Sequence, residues 1–113
     1  MLIPDTLMTQ LVQNGHAHRD NPGLDPRPVV KLFTPDGGAA WLLSQVDPED
    51  NDLAYGLCDL GQGTPELGYV SLTELASVKG PLGLAIERDW SFRAELSISE
   101  YARRAVALGT IRD

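Results

Sequence analysis

Apolar residues recur along the chain with two periods, and the changes between those periods mark out the elements. Near the N-terminus Leu7, Met8, Leu11 and Val12 share one face at helical spacing. Asp5 or Thr6 can cap that helix and Gly15 can end it in a left-handed turn, so the helix is predicted over 5–14. His16 to Arg27 is polar and holds Pro22, Gly23 and Pro26, which predicts a connecting loop. The β-branched and aromatic run 29–34 predicts a strand, Pro35-Asp36-Gly37-Gly38 a turn, and 40–46 the returning strand of a hairpin. Asp47-Pro48-Glu49-Asp50-Asn51-Asp52 reads as a solvated acidic loop before a third strand over 53–60. Gly61-Gln62-Gly63-Thr64-Pro65 then turns the chain into a fourth strand over 67–72.

There the period lengthens. Ser71-Leu72-Thr73-Glu74 has the spacing of a capping box and predicts a short helix over 72–78, broken by Lys79-Gly80-Pro81-Leu82-Gly83. A fifth strand is predicted over 86–92. Its alternation puts Ile86, Arg88, Trp90 and Phe92 on one face, expected to be the core face. Arg88 is therefore expected to be mostly buried and paired with a carboxylate such as Glu66 or Glu74, with aromatic stacking as an added contact, because an unpaired guanidinium is too costly to bury. The alternative is an arginine that lays its stem on the core and reaches water. A second capping box, Ser97-Ile98-Ser99-Glu100, opens a helix over 98–108 with Gly109 as its C-cap. Ile98, Tyr101, Ala102, Ala105, Val106 and Leu108 form its apolar stripe, and Arg103 and Arg104 lie towards the favourable end of its dipole.

Connections this short between strands require antiparallel pairing. The order α-β-β-β-β-α-β-α thus predicts an α+β fold: a mainly antiparallel sheet of about five strands, with an N-terminal, a short middle and a C-terminal helix covering one face. At 113 residues one domain over 1–113 is expected, with 42% hydrophobic and 22% charged residues, the balance of a globular chain. No apolar run approaches the ~20 residues that cross a bilayer. No membrane partner is therefore expected, and Met1-Leu2-Ile3-Pro4-Asp5 has no basic region or apolar signal core, so secretion is not expected either. A lone cysteine, Cys58, excludes an internal disulfide and suits a reducing, cytoplasmic setting. The net charge of −7 argues against nucleic acid held on a broad basic surface.

Several motifs follow in one order: Lys31-Leu32-Phe33-Thr34-Pro35-Asp36-Gly37, Trp41, Tyr55-Gly56-Leu57 and above all the run from Glu66 to Leu75. They continue through Lys79-Gly80-Pro81-Leu82-Gly83-Leu84 to Ile86-Glu87-Arg88-Asp89 and Phe92. By these residues the stretch 28–92 resembles a bacterial family known as domain of unknown function 2958. The resemblance implies a family-like core over 28–92 and makes 93–113 a C-terminal helical extension. It also implies a cytosolic bacterial protein with a link to mobile genetic elements, some relatives carrying a label of single-stranded DNA endonuclease.

A metal-dependent nuclease needs converging carboxylates, and Asp36, Asp59, Glu66, Glu74, Glu87 and Asp89 are the candidates. Pro35-Asp36 resembles the start of a common nuclease motif. The acid-x-Lys step that should follow is absent, since Lys31 and Lys79 are preceded at two residues by Val29 and Ser77. His16-Ala17-His18 with Asp20 is a metal pair without a defined zinc spacing. The 47–52 stretch lacks the glycine and distal glutamate of a helix-loop-helix calcium site. Cys58 reads as a buried thiol, and the strand aromatics Phe33, Trp41, Tyr55, Tyr69, Trp90 and Phe92 as core more than as a base-stacking platform. No cofactor and no catalytic residue follow from these patterns. The candidate functional cluster is Glu66, Tyr69, Glu74, Glu87, Arg88 and Asp89. The function expected is a small acidic cytosolic accessory or binding protein, its partner a protein. The alternatives are a single-strand nuclease and an acidic decoy of a DNA-binding protein.

Overall fold

A computed structural model of the protein describes residues 2–113. Met1, the first residue of the stretch read above for a signal sequence, lies outside them. Helix α1 (Asp5–Asp20) leads into strands β1 (Val30–Phe33), β2 (Ala40–Asp47), β3 (Asp50–Asp59) and β4 (Glu66–Ser71). Helix α2 (Leu72–Ser77), a two-residue strand β5 (Glu87–Arg88) and helix α3 (Ile98–Leu108) complete the chain. The five strands form one antiparallel sheet in the order β4-β3-β2-β1-β5, so the α+β reading holds.

The β1–β2 hairpin closes on the Pro35–Gly38 turn with Val30 opposite Leu43 and Leu32 opposite Trp41. That register sends Val30, Leu32, Trp41 and Leu43 to one face, where α1 packs. Leu42 and Leu57 go to the other face, under Ile98, Tyr101 and Ala105 of α3. The helices therefore cover both faces, not one. The signal lay in β2 itself: an uninterrupted buried run from Trp41 to Val46 needs cover on both sides.

Helix α1 runs five residues beyond Gly15, so 16–20 is helix and not loop. Gly15 is no C-cap. Its backbone is pressed against β2 so closely that a Cβ there would overlap the Val46 carbonyl oxygen. The start of α1 also differs from expectation, because Pro4 occupies the N-cap with no side-chain bond and Asp5 and Thr6 lie inside the helix. The acidic stretch is a tight hairpin in which Asp47 pairs with Asp50 across Pro48-Glu49. From its far strand the Asp52 carboxylate accepts from Ser71 Oγ at 2.6 Å and from Thr73 N at 2.8 Å. It thus caps α2 together with Ser71, whose Oγ accepts from Glu74 N.

The C-terminal helix follows its sequence closely, with both halves of the Ser97–Glu100 capping box formed and Gly109 left-handed at φ 76°. Its stripe is narrower than predicted: Val106 and Leu108 are exposed. Asp59, 2% exposed, ties down the segment after it by accepting from Thr110 Oγ1 at 3.1 Å and Ile111 N at 3.0 Å. Asp36 plays a like role, its Oδ2 accepting from Leu82 N at 2.7 Å and Leu84 N at 3.2 Å. Gly80 fits against that carboxylate because it has no Cβ.

Strand β5 is the largest departure. Only Glu87 and Arg88 pair, with Phe33 and Leu32 of β1, and the chain then leaves the sheet. Ile86 is buried and Arg88 stands opposite buried Leu32, so this is the core face as far as the strand runs, but Trp90, beyond its end, is 77% exposed. Arg88 lies with its guanidinium 3.7 Å from the centre of the Trp90 ring, and no carboxylate among the described residues is within ion-pair distance of it. A cation lying over an exposed indole keeps its water, so the buried ion pair expected for Arg88 is not needed.

Candidate functional site

A row of side chains crosses three strands on the α3 face. Gln45 of β2 stands opposite Tyr55 of β3, and Tyr55 opposite Tyr69 of β4. The register that creates the row depends on a bulge at Ser44, between the Leu43–Gly56 and Gln45–Tyr55 pairs. Gly56 allows it, because a Cβ at that position would run into the Leu42 carbonyl. Without the bulge, Gln45 would share the face of Leu43.

Helix α3 covers the neighbouring Leu42–Leu57 row but stops short of this one. What it leaves is a hollow of about 230 Å³ with Gln45, Tyr55, Leu67 and Tyr69 as its floor. One wall is the start of α3, Ile98 and Ser99, together with Leu24, Asp25 and Pro26 of the segment between α1 and β1. His18, in the last turn of α1, completes the rim. The wall is pinned, since Ile98 N donates to Pro26 O at 2.8 Å and Ser99 donates to the Asp25 carboxylate from both its N and its Oγ.

Gln45 is 6% exposed as a residue, and its amide tip, which keeps solvent access at the hollow, makes no hydrogen bond to any described residue. A nearly buried side chain with both amide atoms free for a ligand stands out. The Tyr55 and Tyr69 rings lie 5.0 Å apart, tilted by 60°, and their hydroxyls are likewise without protein partners among the described residues. Burial, then the neighbouring Tyr69 and Asp25, push the Tyr55 phenol above its usual value, so it stays a neutral donor. Burial also pushes Asp25 upward, but hydrogen bonds from Ser99 and Ser97 outweigh it and hold the carboxyl below its usual value.

The other hollows offer less chemistry. One of about 510 Å³ between α1 and α2 is apolar, with Leu2, Ile3, Met8 and Leu72 around it. Three open ones of about 620, 560 and 400 Å³ flank Arg88 and Trp90 at the β5 edge. Lys31 there is engaged, 2.7 Å from Asp113 Oδ1 and 4.0 Å from Asp89 Oδ2.

The six residues of the candidate cluster do not come together. Glu66 and Tyr69 lie on β4, while Glu87, Arg88 and Asp89 lie at β5. Those are opposite edges of the sheet, four strand spacings or about 19 Å apart. Glu74 is exposed in the first turn of α2. Asp89 closes a local turn onto Ser91. Tyr69 alone of the six lines the hollow. Among the described residues no three His, Cys, Asp or Glu side chains are placed to hold a metal ion, His16, His18 and Asp20 included. Cys58 is a poor nucleophile here: burial, helped by Glu66 opposite, pushes its thiol from 9.0 up to about 11. Among the described residues no helix is long and apolar enough to cross a membrane.

Sequence reading missed Gln45, Tyr55, Asp25 and His18 as a group. The available signal was Gln45 itself, a primary amide inside the otherwise apolar strand Trp41-Leu42-Leu43-Ser44-Gln45-Val46. The family profile described as Protein of unknown function (DUF2958) matches residues 2–112, nearly the whole chain and more than the 28–92 stretch that carries the resemblance in sequence. No curated protein and no solved structure matches the chain.

Proposed function

The chain belongs to the family described as Protein of unknown function (DUF2958), and from that premise we propose that it is a small acidic binding protein whose site is the Gln45–Tyr55–Tyr69 hollow. The observation that carries this reading is the Gln45 amide, on a residue only 6% exposed, without a protein partner and with its tip open to the hollow. An amide with so little access to water is poorly hydrated, and a ligand that pairs with both its atoms is favoured there. The tyrosine rings and the flanks of Leu67 and Ile98 supply apolar surface, and the polar tips supply orientation, the usual division of labour in a binding pocket. The setting proposed is the bacterial cytosol, supported by the lone thiol.

Catalysis has weaker support. The carboxylates weighed for a nuclease are scattered or engaged: Asp36 and Asp59 hold backbone amides, and Glu66 and Glu87 face water at opposite edges. An acidic decoy would need its charge gathered on one face, whereas Asp52, Asp59 and Asp36 are spent on internal hydrogen bonds.

The test is nuclear magnetic resonance mapping with a library of small aromatic and amide-bearing fragments. The expected result is that hits shift the Gln45 side-chain amide and the Tyr55, Tyr69 and Ser99 signals together. Hits confined to the Arg88–Trp90 edge, or none at the hollow, would refute the assignment.

A further inference from the structure

We infer that the hollow takes an uncharged, planar nitrogen heterocycle with a hydrogen-bond donor beside an acceptor, of the nucleobase kind, and takes it without a phosphate. This rests on the binding reading above and names the ligand class for the same site.

Size sets the first limit. An apolar cavity of about 150 Å³ holds one benzene ring. The 230 Å³ here suits a fused bicyclic ring or a ring with a small substituent, not a stretch of peptide. Shape sets the second. The Tyr55 and Tyr69 rings, with Leu67 beside them and Ile98 across, offer apolar surface to the faces of a flat ligand.

The edge of the ligand is set by Gln45. A primary amide presents a carbonyl acceptor next to an NH₂ donor in one plane, and both are free here. Only a ligand edge with a donor adjacent to an acceptor satisfies both atoms, the pairing by which glutamine reads adenine. A guanidinium or ammonium has donors alone, so it would pair with the Gln45 carbonyl and leave the NH₂ without a ligand partner. The two tyrosine hydroxyls supply further polar contacts at the rim.

Charge excludes the phosphate. The one acid on the wall is Asp25, held as a carboxylate by Ser99. The first-turn amides of α3, which elsewhere attract anions, are already taken: Ser99 N by Asp25 and Glu100 N by Ser97 Oγ. Arg103 lies back against Ser99 Oγ at 3.5 Å, on the Asp25 side. With a chain of net charge −7 around it, a nucleotide or nucleic-acid strand meets repulsion that a free base or nucleoside does not.

The experiment is a titration of the full chain with the four common nucleosides, the corresponding monophosphates, benzamidinium and a short single-stranded oligonucleotide. It is followed at the Gln45 side-chain amide and the Tyr55 and Tyr69 rings. At least one nucleoside is expected to give saturable shifts there, with its monophosphate at least about tenfold weaker. Gln45→Met should weaken the nucleoside about tenfold, the scale of a lost paired edge, while Gln62→Met, at an exposed turn residue, should not. The competition series on the unaltered protein needs no variant to fold. Tighter binding of the monophosphate, the oligonucleotide or benzamidinium would overturn the inference, as would full affinity in Gln45→Met. If aromatic amide fragments occupy the hollow and no nucleoside does, the ligand class is wrong and the binding reading stands. If neither does, both fall.

Discussion

Replacing Gln45 by methionine should make the protein more stable, and the sign of that change separates a ligand-binding amide from a structural one. Methionine keeps the length and flexibility of the side chain and removes its two polar atoms. Gln45 is 6% exposed and surrounded by Tyr55, Leu67, Pro26 and Ile98, so its apolar stem already contributes to packing. The amide forms no hydrogen bond in the protein, and leaving such a group unpaired in a buried site costs about 1–3 kcal/mol. Because its tip reaches a hollow that admits water, the lower end applies, and Gln45→Met should gain about 1 kcal/mol. In a domain of this size that raises the melting temperature by about 4 °C. Urea unfolding of both proteins, with an unchanged dependence on urea, gives the number directly. A ligand that fills the hollow should then stabilise the original protein more than the variant, by up to about 1.4 kcal/mol for a tenfold difference in affinity. A loss of more than about 1 kcal/mol in Gln45→Met would refute the reasoning, since it would mean that the amide supports the fold.

Gly15→Ala should destabilise by about 1–3 kcal/mol in urea, although alanine is the better helix former, because its Cβ would push α1 off the Val46 carbonyl; a gain would contradict the close approach. Arg88→Ala should cost less than about 1 kcal/mol, the worth of an exposed cation–π contact, and a loss of 3 or more would restore the buried ion pair. Cys58 should react with iodoacetamide at neutral pH about 100-fold more slowly in the native than in the unfolded protein, following the rise from 9.0 to about 11, and equal rates would contradict its burial. Stability should fall on acidification. Hydrogen bonds from Ser71, Ser91 and the Ser97 backbone hold Asp52, Asp89 and Glu100 below their usual values, and those from Ser99 overcome burial to do the same for Asp25. Groups depressed in the folded state stabilise it above their ordinary values of 3.8 for Asp and 4.5 for Glu, and that contribution is lost as pH drops through the folded values. A urea midpoint flat from neutrality to below pH 3 would refute this.

Elements written in local chemistry were legible without coordinates. The span of α3 follows from a capping box at Ser97–Glu100 and a glycine at 109, both interactions within four residues. The β1–β2 hairpin follows from Pro35-Asp36-Gly37-Gly38, and the antiparallel pairing of β1 through β4 from the shortness of the connections between them. These signals act over a few residues, so the nearby sequence holds both partners of each contact.

Tertiary structure decided the rest. Gly15 resembles a helix stop because glycine often is one, yet its role is set by Val46, thirty-one residues away. Asp52 reads as a solvated acid and Asp59 as a candidate metal-binding carboxylate, and only the approach of Thr73 and Ile111 turns them into caps and clasps. The alternation across 86–92 suggested a core strand, but β1 offers Glu87 and Arg88 only a short partner, so Trp90 ends in water. The candidate site shows the same limit most plainly. Gln45, Tyr55 and Tyr69 sit ten and fourteen residues apart in the chain, and one bulged residue at Ser44 decides whether they share a face. Side-chain direction in a strand has period two, so a register shift of one residue inverts it, and no local preference records that shift.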